Sequence, residues 1–512
     1  MPIQNLLAGV LMCLAVLAGA AWAADPEPAP IREPLRASSN PNYFQDADGV
    51  PLILCGSQTW NTLQDWGTDG DVQPVDFAAF VHFLTAHGHN FTLLWYTELP
   101  RFHGLPTTDT APPDFSVSPF PWKRTGPGLA TDGRPKFDLR RYNQDYFDRL
   151  RQRVQMLDKA GIYVGVYLFT GEWLLRFRCA NDGYPLSGPN NVNGIDDGYR
   201  GGAPESGLAS VTMTAPNAIT DVQDAYVRRT IDTLNDLPNV LWIVSEEAPA
   251  QSTWWNAHLI ALVRSYERTK RWQHPIGYAA LADNQDSVVY NSDADWVAPG
   301  GGTKISPEMT QGTGTPPRKV NINDSDHTYF GMWEETAQVN RNYAWDNFLA
   351  GNQVLFMDPY LVYYPRQNRN LCLSPLHGIG STPDPRWDNF RATLGAILRY
   401  SRKLNLANVT PQDSLSSTGR CLAQTPRAGA EYLVYAPNGG TFTVNLSAMP
   451  SSRTLSVEWF EPATGRSHTQ SAIPAGSPAQ SFTPPFEGDA VLYLVDTAGH
   501  LAARPPTTAT KP

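Results

Sequence analysis

Between about residues 50 and 360, apolar runs of strand length alternate with stretches of helical period, and this alternation constrains the fold more than any other feature. The runs at 52–55, 91–96, 162–169 and 240–244 are rich in β-branched and aromatic residues, as strands buried on both faces are. Between them, Phe77, Phe80, Val81 and Leu84 stand at i, i+3, i+4 and i+7, after a capping Asp76 and before a terminating Gly88. Phe147, Leu150, Val154 and Leu157 repeat the plan and end at Gly161. Helices are also expected over 221–237 and on the face formed by Trp255, Leu259, Leu262, Val263 and Tyr266. Further strands are expected at 275–279, 295–298, 319–323 and 353–357. Eight strands alternating with helices predict an α/β chain folded as a (β/α)8 TIM barrel. An open doubly wound sheet is the alternative, but no Gly-x-Gly-x-x-Gly turn follows any of the strands.

Near Val409 the helical period stops. The segments 432–435, 441–446, 455–460 and 491–495 alternate or run apolar, with Asn438-Gly439-Gly440 and Ala463-Thr464-Gly465 as turns. A small antiparallel β-sandwich is expected there. The organisation predicted is a leader at 1–23, a Pro-rich linker at 24–37, a barrel at 38–410, a sandwich at 411–500 and a Pro- and Thr-rich disordered tail at 501–512.

The leader is read from the apolar stretch 6–21 and the small-x-small site Ala21-Trp22-Ala23, although no Lys or Arg precedes them. Cleavage near Ala23 and a secreted or periplasmic location are expected. No other segment is long and apolar enough to span a bilayer. The net charge of −10 argues against a nucleic-acid partner, which demands a basic face. Cys55, Cys179, Cys372 and Cys421 remain after cleavage, and four cysteines allow three pairings. There is no Cys-x-x-Cys or His-x-x-x-His pattern, so a structural zinc site is not expected; no metal ligand and no cofactor is assigned. The sequence leaves the oligomeric state open.

The run at 240–244 stops at adjacent carboxylates, Glu246 and Glu247. In parallel α/β folds chemistry sits at the carboxyl ends of strands, where a half-desolvated carboxyl can act as a general acid. The two glutamates could equally cap the next helix. At the end of the seventh strand stand Asp324, Asp326 and His327. Two acids facing each other across a cleft suit cleavage of a glycosidic bond, one protonating the leaving oxygen and the other attacking or activating water. An Asx-turn cluster or a divalent-cation site would use the same residues. Trp60, Trp95, Trp296 and Trp333 lie at or after strand ends, as sugar platforms or as core. His327 could bind a sugar hydroxyl or orient Asp326, and Asp358 could line the cleft or cap a turn. His89 and Asn90 precede the second strand, at the end opposite the chemistry, and are read as structural.

Four stretches together resemble the apiosidase-like and cellulase-like glycoside hydrolases: 49–60 (GVPLILCGSQTW), 88–95 (GHNFTLLW), the Asn239–Glu247 run and 356–360 (FMDPY). The stretches 435–441, 459–465 and 484–493 resemble a sandwich module named for collagen binding that often follows such barrels. The resemblance implies a barrel glycosidase that acts on a poly- or oligosaccharide with acids after strands four and seven. It implies Glu247 as general acid/base and Asp324 or Asp326 as its partner. Glu246 stands where the family has Asn, and Asp324 where it has Glu. Glu246 is then a sugar-binding group or a second acid that raises the proton affinity of Glu247. A non-catalytic carbohydrate-binding protein on a degenerate barrel and a polysaccharide lyase are the competing expectations.

Overall fold

The computed structural model describes residues 30–68, 71–103, 114–201, 208–282, 286–300, 319–325, 336–363, 372–373, 384–425 and 430–496. Eight parallel strands form one sheet: β1 (Cys55–Gln58), β2 (Phe91–Leu94), β3 (Tyr163–Tyr167), β4 (Val240–Ile243), β5 (Ile276–Ala279), β6 (Trp296–Ala298), β7 (Val320–Asp324) and β8 (Gln353–Met357). Their spatial order, β1-β8-β7-β6-β5-β4-β3-β2, brings the two end strands together. Asn90 closes that seam. Its backbone N–H donates to the Cys55 carbonyl at 3.1 Å, its Oδ1 accepts from the Cys55 N–H at 2.9 Å, and its Nδ2 donates to the Ile53 carbonyl at 2.8 Å. Gly56 makes the approach possible, because a Cβ there would lie 2.2 Å from the Phe91 carbonyl oxygen. The sheet is therefore a (β/α)8 barrel.

Helices α1 (Phe77–Ala86), α2 (Gln144–Lys159), α3 (Gly171–Arg176), α4 (Ala218–Leu234), α5 (Thr253–Glu267), α6 (Asp286–Tyr290), α7 (Ala337–Leu349) and α8 (Pro385–Lys403) complete the barrel layer. The first strand lies three residues later than the sequence pattern suggests. The apolar residues Ile53 and Leu54 lead into the strand, and the polar Ser57 and Gln58 belong to it. Both are fully buried, Ser57 turned to the helices and Gln58 to the barrel interior, so burial here does not require apolar side chains. Between β2 and α2 the chain also forms antiparallel strands that the sequence reading passes over: Arg101–His103, Asp114–Ser118, Trp122–Leu129 and Pro135–Tyr142. Trp296 is core: its ring fills the space left by Gly277, where a Cβ would lie 2.1 Å from it.

After α8 the chain forms a six-stranded antiparallel sheet and a two-stranded one. Alternation along Glu431–Ala436 explains why this strand reads as an apolar run. Tyr432, Val434 and Ala436 face the sandwich interior with Trp459 and Leu492, while Leu433 and Tyr435 face Trp345, Phe348 and Tyr400 of α7 and α8. Both faces are covered. Helix α7 lies between barrel and sandwich and is buried nearly all round, so its sequence lacks a clean apolar stripe. A buried fork from Arg341 to Asp489, at 2.8 and 2.7 Å, fastens the joint. Cys55, Cys179 and Cys421 are free thiols, and the side chain of Cys372 lies outside the described residues.

Candidate active site at the barrel mouth

The carboxyl ends of β1, β3, β4 and β7 bring a set of polar and aromatic side chains together. On β4, the Trp242 indole N–H donates to Glu267 at 2.9 Å and the Ser245 hydroxyl donates to Asn256 at 2.6 Å. Both partners are on α5. Residues three apart in a regular strand point to opposite faces, so the backbone slips by one residue after β4. That slip returns Glu246 to the barrel side, where its Oε2 accepts the Tyr167 hydroxyl at 2.5 Å. Glu246 is wholly buried.

Glu247 follows with φ +36°, one of two non-glycine residues at positive φ among those described. A backbone in this region costs about 1–3 kcal/mol and persists only where its surroundings impose it. Ala248 supplies the constraint: it bridges to Leu281 after β5, and its carbonyl accepts the Ala282 N–H at 3.1 Å. The strained turn leaves the Glu247 side chain 14 % exposed, whereas that of Glu246 is shut away. Of the two adjacent acids, Glu247 is the one open to solvent. Its Oε2 lies 2.6 Å from Arg176 Nη2, and Arg176 Nη1 donates to Glu172 at 2.7 Å. Burial, reinforced by the nearby Glu247 charge, pushes the Glu172 carboxyl up to about 8.

Asp324 closes β7. Asn323 faces outward, its Nδ2 donating to Asn347 of α7 at 2.7 Å, so Asp324 points inward. There Gln58 Nε2 donates to its Oδ2 at 3.2 Å. In a barrel, side chains from alternate strands share a layer; β7 and β1 meet this way across β8. Asp326, His327 and Trp333 lie outside the described residues. Asp358 belongs to the outer layer. It is fully buried, accepts the Ser57 hydroxyl at 3.1 Å, and spends both oxygens on the Arg391 guanidinium of α8, at 2.7 and 2.5 Å. Its place in an interior ion pair takes it out of the cleft lining.

Trp60 and Trp95 sit at the mouth as members of an aromatic cluster. Trp60 is 6.2 Å from Trp95 and 5.8 Å from Trp173 between ring centroids, and Trp95 is 4.5 Å from Tyr167. Several buried polar atoms here have no hydrogen-bond partner among the described residues: Gln58 Oε1, both side-chain atoms of Asn61, Trp95 Nε1, Trp173 Nε1 and Glu98 Oε2. Asn61 is the second residue at positive φ, +52°. Buried polar groups are ordinarily paired, so a mouth lined with open donors and acceptors suits a polar ligand. The sequence reading passes over Gln58, Tyr167, Glu172, Trp173 and Arg176. Glu172 and Arg176 stand at i, i+4, the spacing that pairs opposite charges on one helix face, within a stretch that otherwise reads as loop.

Residues 107–298 match the family described as "Domain of unknown function (DUF6298)". Residues 409–495 match the family described as "Putative collagen-binding domain of a collagenase". No curated protein matches the chain. Among solved structures, one described as a glycoside hydrolase superposes with a TM-score of 0.57 at 13% identity, covering 91% of this chain and 97% of that one. A glycoside hydrolase family 5 structure from Bacteroides vulgatus superposes with a TM-score of 0.56 at 15% identity, covering 91% and 94%. At these identities the likeness shows a shared fold, barrel and sandwich together.

Proposed function

We propose that this chain is a secreted glycoside hydrolase that cleaves O-glycosidic bonds of a poly- or oligosaccharide, with Glu247 as general acid/base. The observation that carries the reading is the Glu247 carboxyl itself: partly open at the barrel mouth, on a strained turn, held by a guanidinium. Two solved structures that share the fold along nearly their whole length are described as glycoside hydrolases, which supports the same reading. Glu247 protonates the leaving oxygen, and Asp324 or Asp326 works from the β7 side. Trp60, Trp95 and Trp173 form a buried aromatic layer under the mouth, and Gln58 and Asn61 offer hydrogen bonds to sugar hydroxyls. His327 and Trp333 remain candidate sugar contacts beyond β7. The leader ending near Ala23 supports export, which N-terminal sequencing of the mature protein tests.

Asp324 bears on stereochemistry. Aspartate is shorter than glutamate by one methylene, roughly one carbon–carbon bond of ~1.5 Å. On an equivalent backbone this widens the gap to Glu247 toward the roughly 6.5–9.5 Å of inverting enzymes, where a water fits between the carboxyls. Asp324 then acts as general base. NMR of the first-formed anomer tests this, and a retained configuration would move the role to Asp326 as nucleophile.

Incubation with a glycan panel separates the competing activities. Release of reducing ends without an ultraviolet-absorbing product is the expected result. An unsaturated absorbing product would make the protein a lyase, and binding with neither signal would make it a carbohydrate-binding protein.

A further inference from the structure

We propose that Arg176, held by Glu172, is a positioning residue for Glu247: it fixes the orientation of that carboxyl and sets the pH at which it gives up its proton. The proposal deepens the glycosidase reading and rests on it for the role of Glu247, but its physical content is independent of any activity.

Helix α3 is seated directly on the Glu247 turn. Gly171 opens the helix against Ala248, where a Cβ would fall 2.8 Å from the Ala248 Cβ. The Glu172 N–H donates to the Glu246 carbonyl at 3.1 Å. From this base Arg176 spreads its two terminal nitrogens, one to Glu172 at 2.7 Å and one to Glu247 at 2.6 Å. A planar guanidinium fixed on one side by a buried carboxyl offers its other edge in one orientation, which lysine cannot do. Charged and titratable groups face Glu247 from its own turn, from β3 and from α3. Glu246 is its chain neighbour and accepts the Tyr167 hydroxyl of β3, and α3 contributes Glu172 and Arg176. Burial and the neighbouring carboxylates keep Glu172 protonated at neutral pH, up to about 8. Below that pH the arginine charge faces Glu247 as its ionisable acid partner on this side, and its effect is to favour the ionised form.

The sign follows. Removing the cation raises the proton affinity of Glu247, so Arg176→Gln moves the titration of Glu247 up by about one pH unit or more, as loss of an opposite charge at this range does. Arg176→Lys keeps the charge, leaves the titration near its wild-type position and lowers kcat through lost orientation. Glu172→Gln copies the protonated acid and leaves the titration below pH 7 in place. The test is carboxyl-carbon NMR of protein labelled with 13C-glutamate, the Glu247 signal being identified by its loss in Glu247→Gln, together with the alkaline limb of the kcat profile. An upward shift in Arg176→Gln and none in Arg176→Lys supports the proposal. A Glu247 titration that stays at the wild-type pH in Arg176→Gln overturns it. If Arg176→Gln does not fold, Arg176→Lys decides: a displacement of its Glu247 titration by a unit or more overturns the proposal. An NMR shift in a protein without hydrolase activity would overturn the glycosidase reading alone.

Discussion

The two ends of the barrel differ in what accompanies their buried polar residues. At the amino ends of the strands the side chains work as staples. Gln353 accepts the Leu54 N–H at 2.7 Å and donates to the Asn42 carbonyl at 2.8 Å. Glu267 takes the Trp242 indole at 2.9 Å and the His274 ring at 2.7 Å. Asn90 closes the seam between β1 and β2. At the carboxyl ends, the Asn61 side chain, Gln58 Oε1 and two indole nitrogens are buried without a hydrogen-bond partner among the described residues, and the two non-glycine residues at positive φ among those described, Asn61 and Glu247, sit there. Pairing predominates at the amino ends, although the Asn42 side chain, His89 Nδ1 and Asn239 Oδ1 are buried there without a partner among the described residues. Only at the carboxyl ends do unpartnered groups coincide with strained backbone, as they do in sites prepared for a ligand. Substitution at the floor should therefore cost stability and spare activity, and substitution at the mouth should do the reverse.

The largest effect is expected at the mouth. Glu247→Gln should lower the rate on a natural glycan by about 10²–10⁴-fold, the usual contribution of a positioned general acid, with the unfolding midpoint close to wild type. Kinetics beside a urea titration checks both; unfolding in step with the rate loss would erase the contrast. At the floor, Gln353→Ala orphans a buried N–H and a buried carbonyl and should cost about 2–4 kcal/mol of stability. Its rate per folded molecule should remain that of wild type.

Glu98 sharpens the comparison through pH. Burial raises its carboxyl from 4.5 to about 8, so the folded protein binds this proton more tightly than the unfolded chain does. The stability it contributes is complete below about pH 4.5 and is lost as pH rises through about 8. Glu98→Gln, neutral throughout, should flatten this decline by up to about 1.4 kcal/mol per pH unit. Urea titrations from pH 5 to 9 read the slope, and equal slopes in the two proteins would mean that Glu98 is ionised when folded. The smallest effect is expected for Asn61→Gly. Glycine adopts positive φ without strain, so the variant should gain up to about 1 kcal/mol while binding glycan more weakly. A loss of stability there would show that Asn61 is a staple after all.

The sequence discloses the barrel because its strands are covered on both faces and read as apolar runs. The run 353–357 coincides with β8, and the acids at 246, 247 and 324 do stand at the carboxyl ends of β4 and β7. What stays hidden has physical causes. The strand β1 carries Ser57 and Gln58, whose polarity signals a loop while their partners, Asp358 and Asp324, are distant in sequence. Asp358 looks like a cleft residue until Arg391, on the last barrel helix, claims both its oxygens. Helix α3 is too short for a hydrophobic period to show, so Glu172, Trp173 and Arg176 go unnoticed although they stand beside Glu247. Tyr167 reads as one more strand aromatic, and its hydroxyl becomes informative only when Glu246 is seen against it.

The central claim is that Glu247 donates the proton to the leaving group, and leaving-group dependence in Glu247→Gln tests it most directly. Single-turnover cleavage should be measured on two glycosides of the same sugar, one with an alkyl and one with a nitrophenyl leaving group. The account predicts a large rate loss on the alkyl glycoside and a much smaller one on the nitrophenyl glycoside, which leaves without protonation, while both still bind. Equal losses on the two, or no loss on either, would contradict it.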